Sequence, residues 1–319
     1  MTTRRTSLLA AGALLAAPAL LTRRAEAQAA APAAAGANPG FFRFKTGGFT
    51  VTTVHDGAGA RPNPTQGFVR NAEPAAVEAA LKEAFLPTDA LSIPYTVPFV
   101  ETPRGIVAFD TGTGAGKLAG NLAAAGIDPG KVQAVIFTHF HGDHVGGLIG
   151  QGDAAFFPNA EIIVPAAEWA YWMDEGNASR APEAMKPAFA NVRRRFAPYQ
   201  GKVKQIASDA EVFPGITAIP TPGHTPGHTS YRLADGGQQA IILGDVTNRP
   251  ELNLRNPGWH LVFDMDASAA EATRRRTFDM VATDRIRCVG YHFPFPANGY
   301  VAKDGNGYRF QPADWLANA

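Results

Sequence analysis

The sequence predicts a layered domain of mixed strands and helices, either α/β or α+β. Three observations lead there. Strand-like apolar runs alternate with stretches of helix formers. One run, residues 132–137, is apolar except for Gln133 and reads as a strand buried on both faces. Finally, 33 glycines and 25 prolines among 319 residues promise many short elements joined by turns. Hydrophobic residues make up 45% and charged residues 18%, ample for a core and far from a disordered composition.

The elements follow in order. Arg4 and Arg5 precede an apolar run at 7–21, and Ala25-Glu26-Ala27 fits a small-x-small cleavage site. The run is shorter than the roughly 20 residues of a membrane span. Arg4-Arg5 before Thr6-Ser7-Leu8-Leu9 reads as a twin-arginine signal. Residues 1–27 are therefore expected to be a signal peptide removed on export to the periplasm. Residues 28–39 form a flexible leader, and 40–319 a single domain. Phe, Thr and Val at 44–54 suggest one or two strands, followed by a glycine- and proline-rich loop at 57–70. A helix is expected at 75–84. The three prolines of 86–98, Pro87, Pro94 and Pro98, suggest a rim segment or edge strand. A hairpin at 99–102 and 105–110, a helix at 117–125 and the strand at 132–137 come next. Strands are expected at 161–164, 216–219, 230–233, 240–243 and 287–290, with helices from 166 and at 267–283. Residues 307–316 read as a tail.

Charge excludes one class of partner. Basic residues number 29 and acidic residues 28, without the basic surplus of a nucleic-acid binder. Residues 1–27 hold four arginines and one glutamate, so the remainder carries 25 basic and 27 acidic residues. A single cysteine, Cys288, excludes an intrachain disulfide and a cysteine-rich zinc site. Inside a predicted strand, it reads as a small buried apolar residue.

The histidines carry the chemistry. His139, His141, Asp143 and His144 lie in Thr138-His139-Phe140-His141-Gly142-Asp143-His144, directly after the buried strand. Three imidazoles and a carboxylate at a strand end need partners that core packing does not supply. Imidazole plus carboxylate suits zinc, iron, manganese or cobalt more than calcium. Gly142 and Gly146-Gly147 let ligands from one short stretch face different positions.

This motif, THFHGDHVGG, resembles the signature of the metallo-β-lactamase-fold superfamily of hydrolases. Three further segments support the resemblance: Thr221 to Ser230 with two Pro-Gly-His runs, Ile242-Leu243-Gly244-Asp245, and Tyr291-His292-Phe293-Pro294-Phe295-Pro296. It implies an α+β fold, a four-layer αβ/βα sandwich with metals at one edge. His139, His141 and His228 would hold a first metal, Asp143, His144 and His292 a second, and Asp245 would bridge them. The cofactors implied are two divalent ions, zinc first, with Mn2+, Co2+ or Fe2+ as substitutes. His224 is expected to support the ligands or stabilise the turn, His55 and His260 to be solvated or hydrogen-bonded, and Asp110 to hold a ligand histidine through its second nitrogen.

Two such ions lower the pKa of bound water toward 7, so a metal-bridging hydroxide is the expected nucleophile. Asp143 and Asp245 are the candidates for passing a proton to the leaving group. The loop at 221–230, the His-Phe-Pro-Phe-Pro segment and 254–259 resemble a subgroup of methyl parathion hydrolase and related lactonases or arylesterases. Quorum-quenching lactonases place a tyrosine three residues after the bridging aspartate; here Asn248 stands there. Candidate pocket rings and aliphatic groups are Phe85, Leu86, Leu91, Ile93, Tyr95, Phe99, Trp169, Tyr171, Trp172, Phe293 and Phe295. They favour hydrophobic lactones or aryl esters, with phosphotriesters second. The alternatives are organophosphate hydrolysis as the main activity, a β-lactamase or thioester hydrolase, and a structural metal-binding module. Expected partners are a small-molecule substrate, with no nucleic acid and no stable membrane insertion after processing. A homodimer is the allowed assembly.

Overall fold

Two seven-stranded mixed sheets organise the chain, in the order β1-β2-β3-β4-β5-β6-β7 and β14-β13-β12-β11-β10-β9-β8. The computed structural model describes residues 38–315. The expected signal peptide and most of the leader lie outside the described residues, and those from Pro39 onward fall in one compact unit.

The first sheet comprises β1 (Phe41–Thr46), β2 (Phe49–Pro62), β3 (Ala90–Thr102), β4 (Gly105–Phe109), β5 (Val132–Ile136), β6 (Glu161–Pro165) and β7 (Val203–Ile206). Its first four strands pair antiparallel and the rest parallel. The second comprises β8 (Glu211–Phe213), β9 (Ile216–Pro220), β10 (Thr229–Asp235), β11 (Gln238–Ile242), β12 (Arg287–Val289), β13 (Asn298–Asp304) and β14 (Gly307–Pro312). Only β11 and β12 pair parallel there.

The helices are α1 (Pro74–Glu83), α2 (Leu118–Ala125), α3 (Gly142–Val145), α4 (Ala166–Met173), α5 (Glu175–Arg180), α6 (Lys186–Phe196) and α7 (Ala267–Thr283). One apolar core lies between the sheets, where Val51, Val107, Ile136 and Ile163 meet Ile216, Tyr231, Leu233 and Val289. A second packs α2, α4 and α6 onto the outer face of the first sheet through Leu122, Trp172, Phe189 and Phe196. A third packs Phe278 and Val281 of α7 onto the second sheet. The layers are helix, sheet, sheet, helix: the four-layer αβ/βα sandwich expected. No helix among the described residues is long and apolar enough to cross a membrane.

Three sequence expectations are corrected. β2 runs through the first part of the predicted loop at 57–70. A bulge between His55 and Gly57 turns it into a two-stranded arm with β3, and Gly57 takes φ 121° there. The prolines of 86–98 do not confine that segment to a rim, because β3 is interior beside β4. β4 pairs it only from Phe99 onward, so Pro94 and Pro98 fall where no ladder bond to β4 is lost. The tail at 307–316 is largely β14, paired with β13.

Candidate metal centre

Every candidate ligand sits just past a strand end, on a loop or, for Asp143 and His144, in the short α3. His139, His141, Asp143 and His144 follow β5, His224 and His228 lie between β9 and β10, Asp245 follows β11, and His292 follows β12. The first loop is locked by aromatic packing. Phe140 meets Phe196 of α6 at 4.7 Å between centroids, and Phe137 meets the same ring at 5.4 Å. Glu168 clamps this loop to the next from a fully buried position. One carboxylate oxygen accepts from Phe140 N at 3.0 Å and Trp172 Nε1 at 2.7 Å. The other accepts from Thr225 Oγ1 and Gly227 N, each at 2.8 Å. Gly227 must be glycine, since a Cβ there would overlap the Glu168 backbone.

The nitrogens and carboxylates converge in three overlapping groups: His139 with His141 and His224, His139 with His144 and Asp245, and Asp143 with His144 and His292. Within each, the ligand atoms lie within 4.8 Å of one another. Asp245 is central. Its Oδ1 is 3.3 Å from His144 Nε2, and its Oδ2 is 3.0 Å from His292 Nε2 and 3.3 Å from His224 Nε2. Asp143 Oδ2 lies 3.5 Å from His292 Nε2.

The expected role of His228 is corrected by its surroundings. Its Nδ1 faces Thr221 O at 3.1 Å and Thr221 Oγ1 at 2.8 Å. Its Nε2 accepts the Asp245 backbone N–H at 2.8 Å, so neither nitrogen has a free lone pair for an ion. Burial, then His224, pushes its pKa down to about 3, which keeps that acceptor neutral. Gly244 makes the approach feasible: it takes φ +58°, and a Cβ would stand 2.7 Å from His228 Nε2. His224, at the apex of the same loop, is the histidine that reaches the cluster. Its Nε2 is 2.9 Å from His141 Nδ1. Its Nδ1 is held by Asp264 Oδ1 at 3.0 Å, and Asp264 in turn by buried Arg274 at 2.9 Å.

Supports of the same kind fix the other rings. Asp110 Oδ2 is 2.8 Å from His144 Nδ1 and also accepts from Thr138 Oγ1 at 2.8 Å, the part expected of it. Pro94 O receives His292 Nδ1 at 2.8 Å. Tyr291 stacks on His144 at 3.8 Å and donates to Asp143 O at 2.6 Å. Cys288 is buried in β12 with its thiol on Gly299 O, and burial pushes its pKa up to about 12.

His139 Nε2, His144 Nε2 and Asp245 Oδ1 are buried without a hydrogen-bond partner. His144 Nε2 and Asp245 Oδ1 lie 3.3 Å apart, and unpaired buried nitrogens and a carboxylate oxygen gathered in one place fit cations. The electrostatics agree. Burial disfavours a charged His144, but the Asp245, Asp110 and Asp143 carboxylates outweigh it and raise its pKa well above the ordinary value. His292 is raised by Asp245 and Asp143 against the same desolvation. This negative field, which holds protons when nothing else is bound, equally favours divalent ions.

Five of the eleven candidate pocket groups are core. Leu91, Phe99, Trp172 and Phe293 are buried, and Ile93 nearly so, while Phe85 is 97% exposed. Tyr95 and Phe295 are half-buried beside histidines: Tyr95 is edge-on to His292 at 5.7 Å, and Phe295 to His55 at 5.4 Å. His260 is hydrogen-bonded to Glu271 at 2.8 Å, away from the cluster. The sequence reading missed Glu168 and Asp264 because neither stands in a metal motif.

A model of the metallo-beta-lactamase superfamily matches residues 97–289, more than half of the chain. The chain belongs to that superfamily and is one of its metal-dependent hydrolases. Among curated relatives, the uncharacterized protein YobT of Bacillus subtilis (strain 168) is 31% identical over 115 residues, 36% of this chain. The chain spans only 46% of YobT's length. An N-acyl homoserine lactonase of Bacillus sp is 24% identical over 221 residues, 61% of this chain and 80% of that protein. The solved structure of hydrolase AbOPH in the beta lactamase superfamily superposes with TM-score 0.83 at 25% identity, covering 88% of this chain and 99% of that one. That of AidC, a dizinc quorum-quenching lactonase in complex with a product, does so with TM-score 0.81 at 22% identity, covering 87% and 98%.

Proposed function

We propose that this chain hydrolyses hydrophobic lactones or aryl esters with two divalent ions, zinc first, and phosphotriesters more slowly. The convergence of unpartnered His139, His144 and Asp245 atoms inside a shell of carboxylates and imidazoles carries the reading. His139, His141 and His224 would hold one ion, and Asp143, His144 and His292 the other, with Asp245 facing both. When bound, such ions acidify a water nucleophile and polarise the substrate's carbonyl or phosphoryl oxygen.

The chain's own residues do the rest. Asp110, Asp264, Pro94 O and the Thr138 hydroxyl orient the imidazoles, so little reorganisation is needed at reaction. Asp143 is 28% exposed at its side chain, the most open carboxylate of the cluster, and is the group best placed to pass a proton to the leaving oxygen. The lactonase relatives support a lactone, as does the half-buried ring of Tyr95 beside His292. Arg249, the basic residue nearest Asp245 in sequence, is buried and paired with Glu251 at 3.0 Å. It therefore offers little as an anchor for a β-lactam carboxylate. The twin-arginine pair supports a periplasmic site of action.

Specificity constants on dihydrocoumarin, a homoserine lactone, p-nitrophenyl acetate, methyl parathion and a cephalosporin test the reading. Lactone or aryl ester should lead. Cephalosporin turnover tenfold above both, about 1.4 kcal/mol of transition-state preference, would overturn it.

A further inference from the structure

We propose that the Tyr95 hydroxyl donates a hydrogen bond to the substrate's carbonyl oxygen, a role that rests on the ester- or lactone-hydrolase reading above. β3 outruns β4, and the His292 loop takes the exposed edge: Thr96 N donates to Tyr291 O at 3.0 Å and His292 Nδ1 faces Pro94 O at 2.8 Å. Both neighbours of Tyr95 are therefore pinned to the ligand loop. Its ring lies edge-on to His292 at 5.7 Å and 70°. His292 Nε2 in turn lies 3.0 Å from Asp245 and 3.5 Å from Asp143, so the phenol borders the cluster.

The hydroxyl is free to work. Tyr199, Tyr231, Tyr291 and Tyr308 each donate to a backbone carbonyl, at 2.7, 2.7, 2.6 and 3.2 Å. No hydrogen bond among the described residues involves that of Tyr95. Tyr171 is also unpaired, but it packs on Trp172 and Phe189 in the helical layer, and Trp172 stands between it and His141. Gly59, across the two-stranded arm, makes room for the Tyr95 hydroxyl: a Cβ there would overlap it. A phenol is a neutral donor at working pH. Held beside the ions' ligands, it gives most where charge develops on the attacked carbonyl oxygen.

The experiment measures kcat and KM on dihydrocoumarin for wild type, Tyr95→Phe, Gly59→Ala and the double variant, with metal content and melting temperature on each sample. Tyr95→Phe should lower kcat by about 100-fold with little change in KM, at unchanged metal content and melting temperature. Gly59→Ala should lower kcat in the wild-type background, by displacing the hydroxyl, and do nothing further in Tyr95→Phe. Wild-type kcat in Tyr95→Phe, or equal losses from Gly59→Ala in both backgrounds, would overturn the proposal. A wild type that leaves the lactone intact but cleaves p-nitrophenyl acetate would reject the lactone reading alone, and the same four proteins are then compared on that ester.

Discussion

Asp245→Asn is expected to lower turnover by ~10³-fold or more, beyond the 10–100-fold typical of residues that merely support a metal ligand. The substitution keeps shape and removes one negative charge. Asp245 is buried, and its two oxygens face His144, His292 and His224 at 3.3, 3.0 and 3.3 Å. Burial alone would raise its pKa, but His292 and His144 outweigh it and hold the carboxyl ionised, well below the usual range. An amide there would leave two cations poorly shielded from each other. Elemental analysis should show bound metal falling from two per chain toward one, while melting of the metal-free protein shifts little. Wild-type turnover with two bound metals would remove Asp245 from the centre.

Replacing the two histidines of the 221–228 loop should give opposite phenotypes. His224→Ala deletes a nitrogen 2.9 Å from His141 Nδ1 and leaves Asp264 facing only Arg274. It should cost about 10²–10³-fold in turnover and most of one metal's affinity. His228→Gln removes a ring that accepts Asp245 N–H and faces Thr221. That change should leave two metals bound but destabilise the fold by about 1–3 kcal/mol, the cost of poorly satisfied buried polar groups. Metal titration and thermal melting of both variants decide it. Retained metal in His224→Ala with lost metal in His228→Gln would restore the assignment drawn from the motif.

That pair also shows where the sequence was legible and where it stopped. The H-x-H-x-D-H run, the strand ending at Asp245 and the His292 loop were readable because each joins a metal-ligand pattern to a strand end. The 221–228 loop offers two Pro-Gly-His runs four residues apart, and nothing local separates them. The choice is made by long-range contacts: Asp245 N–H takes His228, and Asp264, 40 residues on, takes His224. Glu168 was unreadable for the same reason, since its four donors come from Phe140, Trp172, Thr225 and Gly227.

In the fold, runs with one clear period were found, such as α7 over Ala267–Thr283. α6 is hard to read in the sequence because Pro187 and three successive arginines mask its buried stripe of Phe189, Val192 and Phe196. The arm of β2 beyond His55 reads as loop in the sequence because its glycines and Pro62 carry turn signals. Its strand character comes from β3 alone, with Arg61 paired to Leu91.

Two ions are expected to cooperate at one centre. Metal-free protein titrated with zinc at neutral pH, with lactone turnover followed at each addition, tests that directly. Turnover should climb until two equivalents per chain are bound, and should need higher zinc at lower pH, because His144 and His292 must give up protons that Asp245 and its neighbours help retain. Full turnover at one equivalent, with no gain from the second, would contradict it.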